Sequence, residues 1–354
     1  MMDAIGRLRS AVVGCGAIAH EHLPYLASSP RVELAAVCDS SPALASFMRD
    51  RFKAEGCFTD AGEMLREAKP QVVHVLTPPQ THASLIRMSI EAGAHVICEK
   101  PMTGAAAETE ELLAEARQRG RVLVESRNLL FNDVSIAIDR LRTTGEVGAV
   151  REVDVLLSLD LTAGPFGDLN LSGPGVALPG GAVHDFLPHL AYLFLHFARD
   201  PAQIDQVAGF LENRSGNARV GYDHLDVLIE AGPARGRLRI ASDVAPPAFR
   251  LIVRGTERAV ETDFYNPFLR IEGGANVGKR APLEQIGSGV KLARAGVRNF
   301  FDKVRQHGTY HGMPRMLDAI YAALERGEAP PISEAEMVAT ARLVARIVSL
   351  GSVR

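Results

Sequence analysis

The sequence predicts an α/β protein: a doubly wound parallel sheet in its first third, then an α+β domain built on an open, largely antiparallel sheet. Three observations carry this expectation. Short apolar runs alternate with amphipathic helical patterns from residue 9 to residue 125, the signature of strands buried on both faces by helices. A glycine-rich turn joins the first run to the first helical pattern. Beyond residue 125 most links between apolar runs are too short for crossover helices, which antiparallel strands permit and parallel strands do not. The chain has 354 residues, more than the ~250–300 that one core usually serves. Two domains are therefore expected, 1–125 and 126–354.

In order, the first domain reads as strands at Ser10–Val13, Val32–Cys38, Gln71–Leu76, His95–Cys98 and Arg121–Val124. Between them lie helical patterns at Ala19–Ala27, Pro42–Arg51, Ala61–Glu67, Ala83–Glu91 and Ala105–Arg117. Right-handed crossovers wind such a series on both faces of one sheet. The second domain opens with a helix, Val134–Thr143, stopped by Gly145. Strand-like runs follow at Val150–Leu159, Gln206–Leu211, Asp223–Ala231, Arg235–Val244, Phe249–Arg254 and Ala259–Thr262. Leu161–Gly181 is rich in Gly and Pro and has no periodicity, as expected of a functional loop. Asn276–Gly289 reads as a second irregular segment. Helices return at Met313–Arg326 and Glu334–Leu350, the last expected to pack back on the first domain.

Composition excludes several functions. Hydrophobic residues make up 47% and charged residues 23%, with a net charge of -3. That is globular composition, without the basic footprint of a nucleic-acid or anionic-membrane binder. Trp is absent and aromatics are 6%, which disfavours a stacking platform for bases. Cys15, Cys38, Cys57 and Cys98 lack CxxC spacing and read as free thiols of a reducing compartment. Apolar runs are strand-sized, so a cytoplasmic protein without membrane spans is expected.

The strongest local signal is Ser10-Ala-Val-Val-Gly-Cys-Gly-Ala-Ile-Ala19. This G-x-G-x-x-A turn leaves a strand and opens a helix. Gly14 permits the turn, Gly16 lets a pyrophosphate approach the backbone, and Ala19 keeps helix and strand close. The amides of Gly16, Ala17 and Ile18 at the helix start would face the phosphates. Asp39 ends the second strand, where a carboxylate receives the adenosine ribose hydroxyls in a Rossmann domain. A carboxylate there, without a neighbouring cation, favours NAD, with NADP as the alternative. Read alone, Asp39 could equally be a turn residue before Ser40-Ser41-Pro42.

Leu76-Thr-Pro-Pro-Gln-Thr-His82, Glu99-Lys-Pro101 and Gly180-Gly-Ala-Val-His-Asp-Phe-Leu-Pro-His189 complete a pattern. With the glycine turn they resemble the glucose–fructose oxidoreductase / inositol dehydrogenase / MocA (Gfo/Idh/MocA) family of nicotinamide-dependent sugar oxidoreductases. The resemblance implies a Rossmann domain, an open antiparallel sheet with helices on one face, and a site between the two. It implies that Glu99 and Lys100 sit beside the nicotinamide, with Lys100 also at the reacting hydroxyl. Thr77, Pro78 and His82 are implied to line the nicotinamide side. Asp185 and His189 match the acid and histidine of the second domain, and Arg127 and Asn128 a substrate-facing position. The family commonly has a small residue where Leu187-Pro188 stands here, which bears on the reach of Asp185.

The chemistry suits these residue types. Oxidation of a secondary alcohol needs a hydride acceptor and a group that takes the hydroxyl proton. Asp185 and His189, four apart, share one helix face, and His is the usual general base. Lys100 can stabilise the alkoxide, while Asp185 can orient the imidazole or bind a second hydroxyl. Taken singly, Asp185 reads equally as a helix N-cap with Pro188 in the first turn, His189 as a packed helix histidine, and Lys100 as a strand-end lysine. Asp168, Asn170, Tyr265, Tyr310 and His311 are placed to recognise substrate hydroxyls. No metal-ligand spacing is present. The resemblance further assigns 1–125 to the nucleotide and 126–354 to substrate binding and oligomerisation, and it implies as partners a sugar-like small molecule and further copies of the chain, as a dimer or tetramer through the far side of the sheet. Nucleic acid and membrane are not expected partners. Two other functions share these motifs: an NAD-retaining glycoside hydrolase working by transient oxidation and elimination, and a non-catalytic NAD-binding regulator.

Overall fold

The computed structural model describes residues 6–161, 178–198, 204–218, 220–273, 281–305 and 311–351. Two compact units result, Met1–Asn128 with Gly312–Val338, and Leu129–His311 with Ala339–Arg354.

In the first unit, six strands form an all-parallel sheet: β1 (Leu8–Val13), β2 (Val32–Cys38), β3 (Gly56–Phe58), β4 (Val72–Val75), β5 (His95–Cys98) and β6 (Leu123–Glu125). Their order is β3-β2-β1-β4-β5-β6. The connecting helices are α1 (Ala19–Ser28), α2 (Pro42–Phe52), α3 (Ala61–Ala68), α4 (His82–Glu91) and α5 (Ala106–Gln118). The continuous apolar strands are buried as their pattern requires; Ala11, Val12, Val72, Val73 and Val96 are all 0% exposed. Local chemistry starts the helices. Ser41 caps α2 by accepting from Leu44 N, with Pro42 in its first turn, and Asp60 caps α3 by accepting from Glu63 N. The chain leaves β1 for one edge and returns beside it at β4, so the carboxyl ends of β1 and β4 flank the switch point where such sheets bind ligands.

Gly312–Val338 falls within the range that the sequence assigns to the substrate domain, yet it clusters with the first unit. Its helix α9 (Met313–Arg326) buries Met316, Leu317, Ile320 and Tyr321 completely. Tyr321 Oη donates to Ser10 Oγ at 2.7 Å and lies 2.9 Å from His74 Nε2. These bonds join a late helix to the first and fourth strands.

The second unit holds a seven-stranded sheet ordered β13-β12-β11-β7-β10-β9-β8. Its strands are β7 (Val150–Ser158), β8 (Gln206–Glu212), β9 (His224–Ala231), β10 (Ala234–Ala241), β11 (Ala248–Gly255), β12 (Arg258–Asp263) and β13 (Arg270–Gly273). Every pairing is antiparallel except β7 with β10. The open, largely antiparallel sheet is as expected. Preceded by α6 (Asp133–Thr143), the sheet carries α7 (Gly181–Ala198) on one face, with Leu190, Leu193, Phe194 and Phe197 fully buried. A Cβ on Gly236 would lie 2.2 Å from the Phe194 ring, so β10 is bare where that ring rests. The opposite face carries charged ladders, including Arg254 with Asp154 and Arg237 with Asp226.

Two expectations need correction. The irregular segment foreseen at Asn276–Gly289 is helical from Ala281, within α8 (Ala281–Arg305); two glycines, Gly287 and Gly289, disguised a helix that tolerates them. Asp185 is no N-cap, because α7 begins at Gly181 and Pro188 lies inside it. Gly181 sets that start: its φ is +62°, and a Cβ there would be 2.3 Å from Val220 O, so only glycine lets the two backbones cross. The final helix α10 (Glu334–Gly351) gives its first residues to the first unit and the rest, from Ala339, to the second.

Candidate active site

The carboxyl ends of β1, β2, β3 and β4 surround a cavity of about 500 Å³. Gly14, Gly16, Asp39, Thr77 and Pro78 all line it. Gly14 has φ +98°, and a Cβ there would lie 2.7 Å from the Leu76 carbonyl. It is the glycine of the turn itself. Gly16 differs, since a Cβ there would meet nothing within 4 Å, so its bare backbone edges open space. No side chain caps the N-terminus of α1, and Gly16 and Ala17 are exposed. The amides of Gly16, Ala17 and Ile18 therefore present the anion-binding end of a helix.

Asp39 does two jobs. Its Oδ2 accepts from Cys15 N and its Oδ1 from Ser41 N, both at 2.8 Å. These bonds tie the glycine turn to the end of β2. A carboxylate has about four acceptor positions, so two ribose hydroxyls can still be received. Sequence reading missed Thr59 and Asp60 on the same rim. They follow β3, a three-residue strand too short to register as a period. Two carboxylates and no Lys or Arg line the cavity, a setting that fits the unphosphorylated ribose of NAD. Burial, with Asp39 adding to it, pushes the Cys15 thiol up to about 12, so it stays protonated.

Other residues assigned to the cofactor turn out to shape its walls. His82 is fully buried, with Nε2 2.7 Å from Thr77 O and Nδ1 3.0 Å from Pro101 O. It stitches the loop after β4 to the loop after β5 instead of facing the cavity. Glu99 is buried too. Its Oε1 lies 3.1 Å from His22 Nε2, and its Oε2 accepts from Lys100 N at 3.3 Å. His22 Nδ1 in turn lies 2.9 Å from His74 Nδ1. Burial would raise the Glu99 pKa, but the His22 hydrogen bond and charge, the Ser126 hydroxyl and the Lys100 charge outweigh it and hold the carboxyl below its ordinary range. Lys100 stands beside this fixed anion at the end of β5, half-buried, before a cis Pro101.

Arg127 departs from the substrate-facing expectation. It is 2% exposed; Nε donates to Glu125 Oε2 at 3.1 Å and Nη2 to Glu336 O at 3.2 Å. It pins β6 to the start of α10. Asn128 is also buried, at the first residue of a short 3-10 turn.

In the second unit, Asp185 and His189 lie one turn apart on α7, both half-buried. His189 Nδ1 is 2.8 Å from the hydroxyl of Tyr192, itself 1% exposed. The His189 ring packs edge-on to Tyr192 and Phe249, with centroids 5.6 and 6.3 Å away. Tyr265 packs against the same Phe249 at 6.0 Å, so it belongs to the cluster around His189. Tyr192 was not singled out from sequence, where its i+3 spacing from His189 was the available signal. One turn back, His184 is buried with Nδ1 accepting from Gly180 N, and burial lowers its pKa to about 4. His311 is exposed. Asp168, Asn170 and Tyr310 lie outside the described residues.

Comparison with known proteins supplies the family. Residues 8–126 match the model of an oxidoreductase family with an NAD-binding Rossmann fold. Over 280 residues the chain is 27% identical to a dTDP-3,4-didehydro-2,6-dideoxy-alpha-D-glucose 3-reductase of Saccharopolyspora spinosa, covering 73% of this chain and 82% of that one. It is 36% identical over 117 residues, 33% of each chain, to the D-glucoside 3-dehydrogenase of Escherichia coli K12. Among solved structures, the WlbA dehydrogenase of Bordetella pertussis, in complex with NADH and UDP-GlcNAcA, superposes with a TM-score of 0.79. That likeness, at 18% identity over 98% of this chain and 96% of the other, is one of fold. The glycine turn at the switch point, the carboxylate closing β2 and the matched stretch agree, and residues 8–126 are the NAD-binding Rossmann domain of a Gfo/Idh/MocA-type oxidoreductase.

Proposed function

We propose that the protein moves a hydride between NAD and a secondary alcohol of a sugar or sugar derivative, at ring carbon 3 of a hexose. The observation that carries this reading is the cavity at the β1/β4 switch point, with Gly16 open to it and Asp39 on its rim. The ring position rests on the relatives, a 3-reductase of a dTDP-sugar and a 3-dehydrogenase of glucosides. The comparisons give no support to the NAD-retaining glycoside hydrolase.

Bound nicotinamide supplies the hydride acceptor or donor. The chain does the rest. The helix N-terminus at Gly16–Ile18 holds the pyrophosphate, and Asp39 receives the adenosine ribose. Thr77 and Pro78 line the way to the nicotinamide. Lys100 donates to the reacting oxygen and favours the alkoxide. His189 takes the hydroxyl proton at Nε2. That role requires Nδ1 to carry the other proton and donate it to Tyr192 Oη, 2.8 Å away, an arrangement that the phenolic oxygen can accept. Asp185, one turn away, binds a neighbouring hydroxyl or biases the imidazolium. Tyr265 borders the substrate beside Phe249. Copies of the chain associate through the charged face of the seven-stranded sheet, which light scattering of an Arg254→Glu variant tests.

The test is reduced-cofactor formation at 340 nm across glucosides, nucleotide-diphosphate hexoses, sugar acids and cyclitols, with NAD and NADP in parallel. Deuteride transfer to carbon 3, read by NMR, checks the position. NADH binding without turnover on any of these would favour the regulator instead.

A further inference from the structure

Helix α8 turns its apolar side away from its own unit. Successive helical residues advance about 100°, which puts Ile286, Val290, Val297, Phe300 and Phe301 on one arc about 100° wide. They are 65%, 48%, 60%, 66% and 51% exposed. The opposite side faces the protein: Ser288, Ala295 and Asn299 are half-buried, and Asn299 Nδ2 donates to Pro267 O at 2.9 Å. The helix rests against the edge strand β13, with its polar and small residues inward. An ordinary surface helix does the reverse. A contiguous exposed apolar ridge of this kind marks an interaction surface.

The charges say what covers it. Lys291, Arg294 and Arg298 are all exposed and fall together on one flank of the arc, and the acidic positions of the helix, Glu284 and Asp302, lie outside the stretch from 286 to 301. An anionic surface complements this local flank, a departure from the whole chain, whose net charge of -3 gave no expectation of a membrane partner. The ridge is one convex helix, a shape that sinks into a planar interface. Its length and its charges suit lying on a bilayer, and no described helix is long and apolar enough to cross one.

We propose that α8 docks the protein on anionic membrane. The apolar ridge enters the headgroup boundary, and Lys291, Arg294 and Arg298 meet lipid phosphates. This inference is independent of the reading of the active site.

The test is co-sedimentation of the full chain with phosphatidylcholine vesicles and with phosphatidylglycerol-rich vesicles, at low and high salt. Binding to the anionic vesicles alone is expected, weakened by salt. Each cation replaced by Gln should weaken it about fivefold. Phe300→Glu with Phe301→Glu should abolish it while NADH binding, followed by fluorescence, stays as in the parent. The proposal fails if the parent ignores anionic vesicles, if phosphatidylcholine serves equally, or if the double variant still pellets. It also fails if light scattering shows a dimer that the double variant dissociates while lipid binding is absent in both, which would make the ridge a contact between copies.

Discussion

The two glycines of the nucleotide turn should respond oppositely to one added methyl group. At Gly14 the methyl would lie 2.7 Å from both the carbon and the oxygen of the Leu76 carbonyl and 2.8 Å from Thr77 N, all backbone atoms, at φ +98°. A left-handed conformation costs a non-glycine residue ~1–3 kcal/mol. Overpacking against backbone that cannot rotate away adds ~1–3 kcal/mol. Gly14→Ala should therefore lose ~2–6 kcal/mol, a fall in Tm of roughly 5–20 °C for a unit of this size. At Gly16 nothing lies within 4 Å, and the backbone is not left-handed. Gly16→Ala should leave stability within about 0.5 kcal/mol. Its methyl would instead occupy the approach of the pyrophosphate, weakening NADH at least tenfold, about 1.4 kcal/mol. Thermal unfolding by circular dichroism and NADH titration by fluorescence read the two effects separately. Native NADH affinity in Gly16→Ala would refute the placement of the pyrophosphate, and an unchanged Tm in Gly14→Ala would refute the steric account of the turn.

Three more outcomes are expected. His189→Gln should lower kcat by ~10²–10⁴ with NADH affinity intact, and Lys100→Met should act likewise; an active His189→Gln enzyme would remove the base assigned here. Tyr192→Phe keeps the packing but removes the partner of His189 Nδ1, so the pH profile of kcat/KM should shift on its basic-group limb, whereas a purely structural tyrosine would change Tm and leave the profile in place. Stability should fall on acidification: His184 has a folded pKa of about 4, below its unfolded ~6.5, so the unfolded chain binds the extra proton between these values. About 3 kcal/mol is at stake as pH falls from 6.5 to 4. His184→Gln should flatten that part of the curve in urea titrations, and an unchanged slope would discount His184.

Much of the first unit was legible because its information is local. An apolar run buried on both faces cannot be confused with a surface segment, and a turn that needs φ +98° at Gly14 advertises itself as glycine. The carboxylate at the end of β2 follows from its place after the second apolar run, twenty residues beyond Ala19 of the glycine turn. The edges of both sheets were harder. β3 and β13 have three and four residues, too few to show a period of two, so Asp60 was missed with the strand that positions it. Arg127 and His82 show the same limit at single side chains. Each sits in a motif that points to a ligand, yet each is turned inward by backbone carbonyls and carboxylates brought from elsewhere, Glu336 O for one and Pro101 O for the other.

By itself the sequence determined the parallel sheet, the nucleotide turn, the acid that closes β2, and the spacing of Asp185 and His189 on one helix. These depend on periodicity and on neighbours within a few residues, and such constraints survive without knowledge of distant contacts. Tertiary structure decided which unit Gly312–Val338 joins, which hydroxyl holds His189, and which side of α8 faces water. Those outcomes depend on pairs such as Tyr321 with Ser10, 311 residues apart. No local pattern encodes such a pair, because its free energy exists only once two remote surfaces are packed against each other.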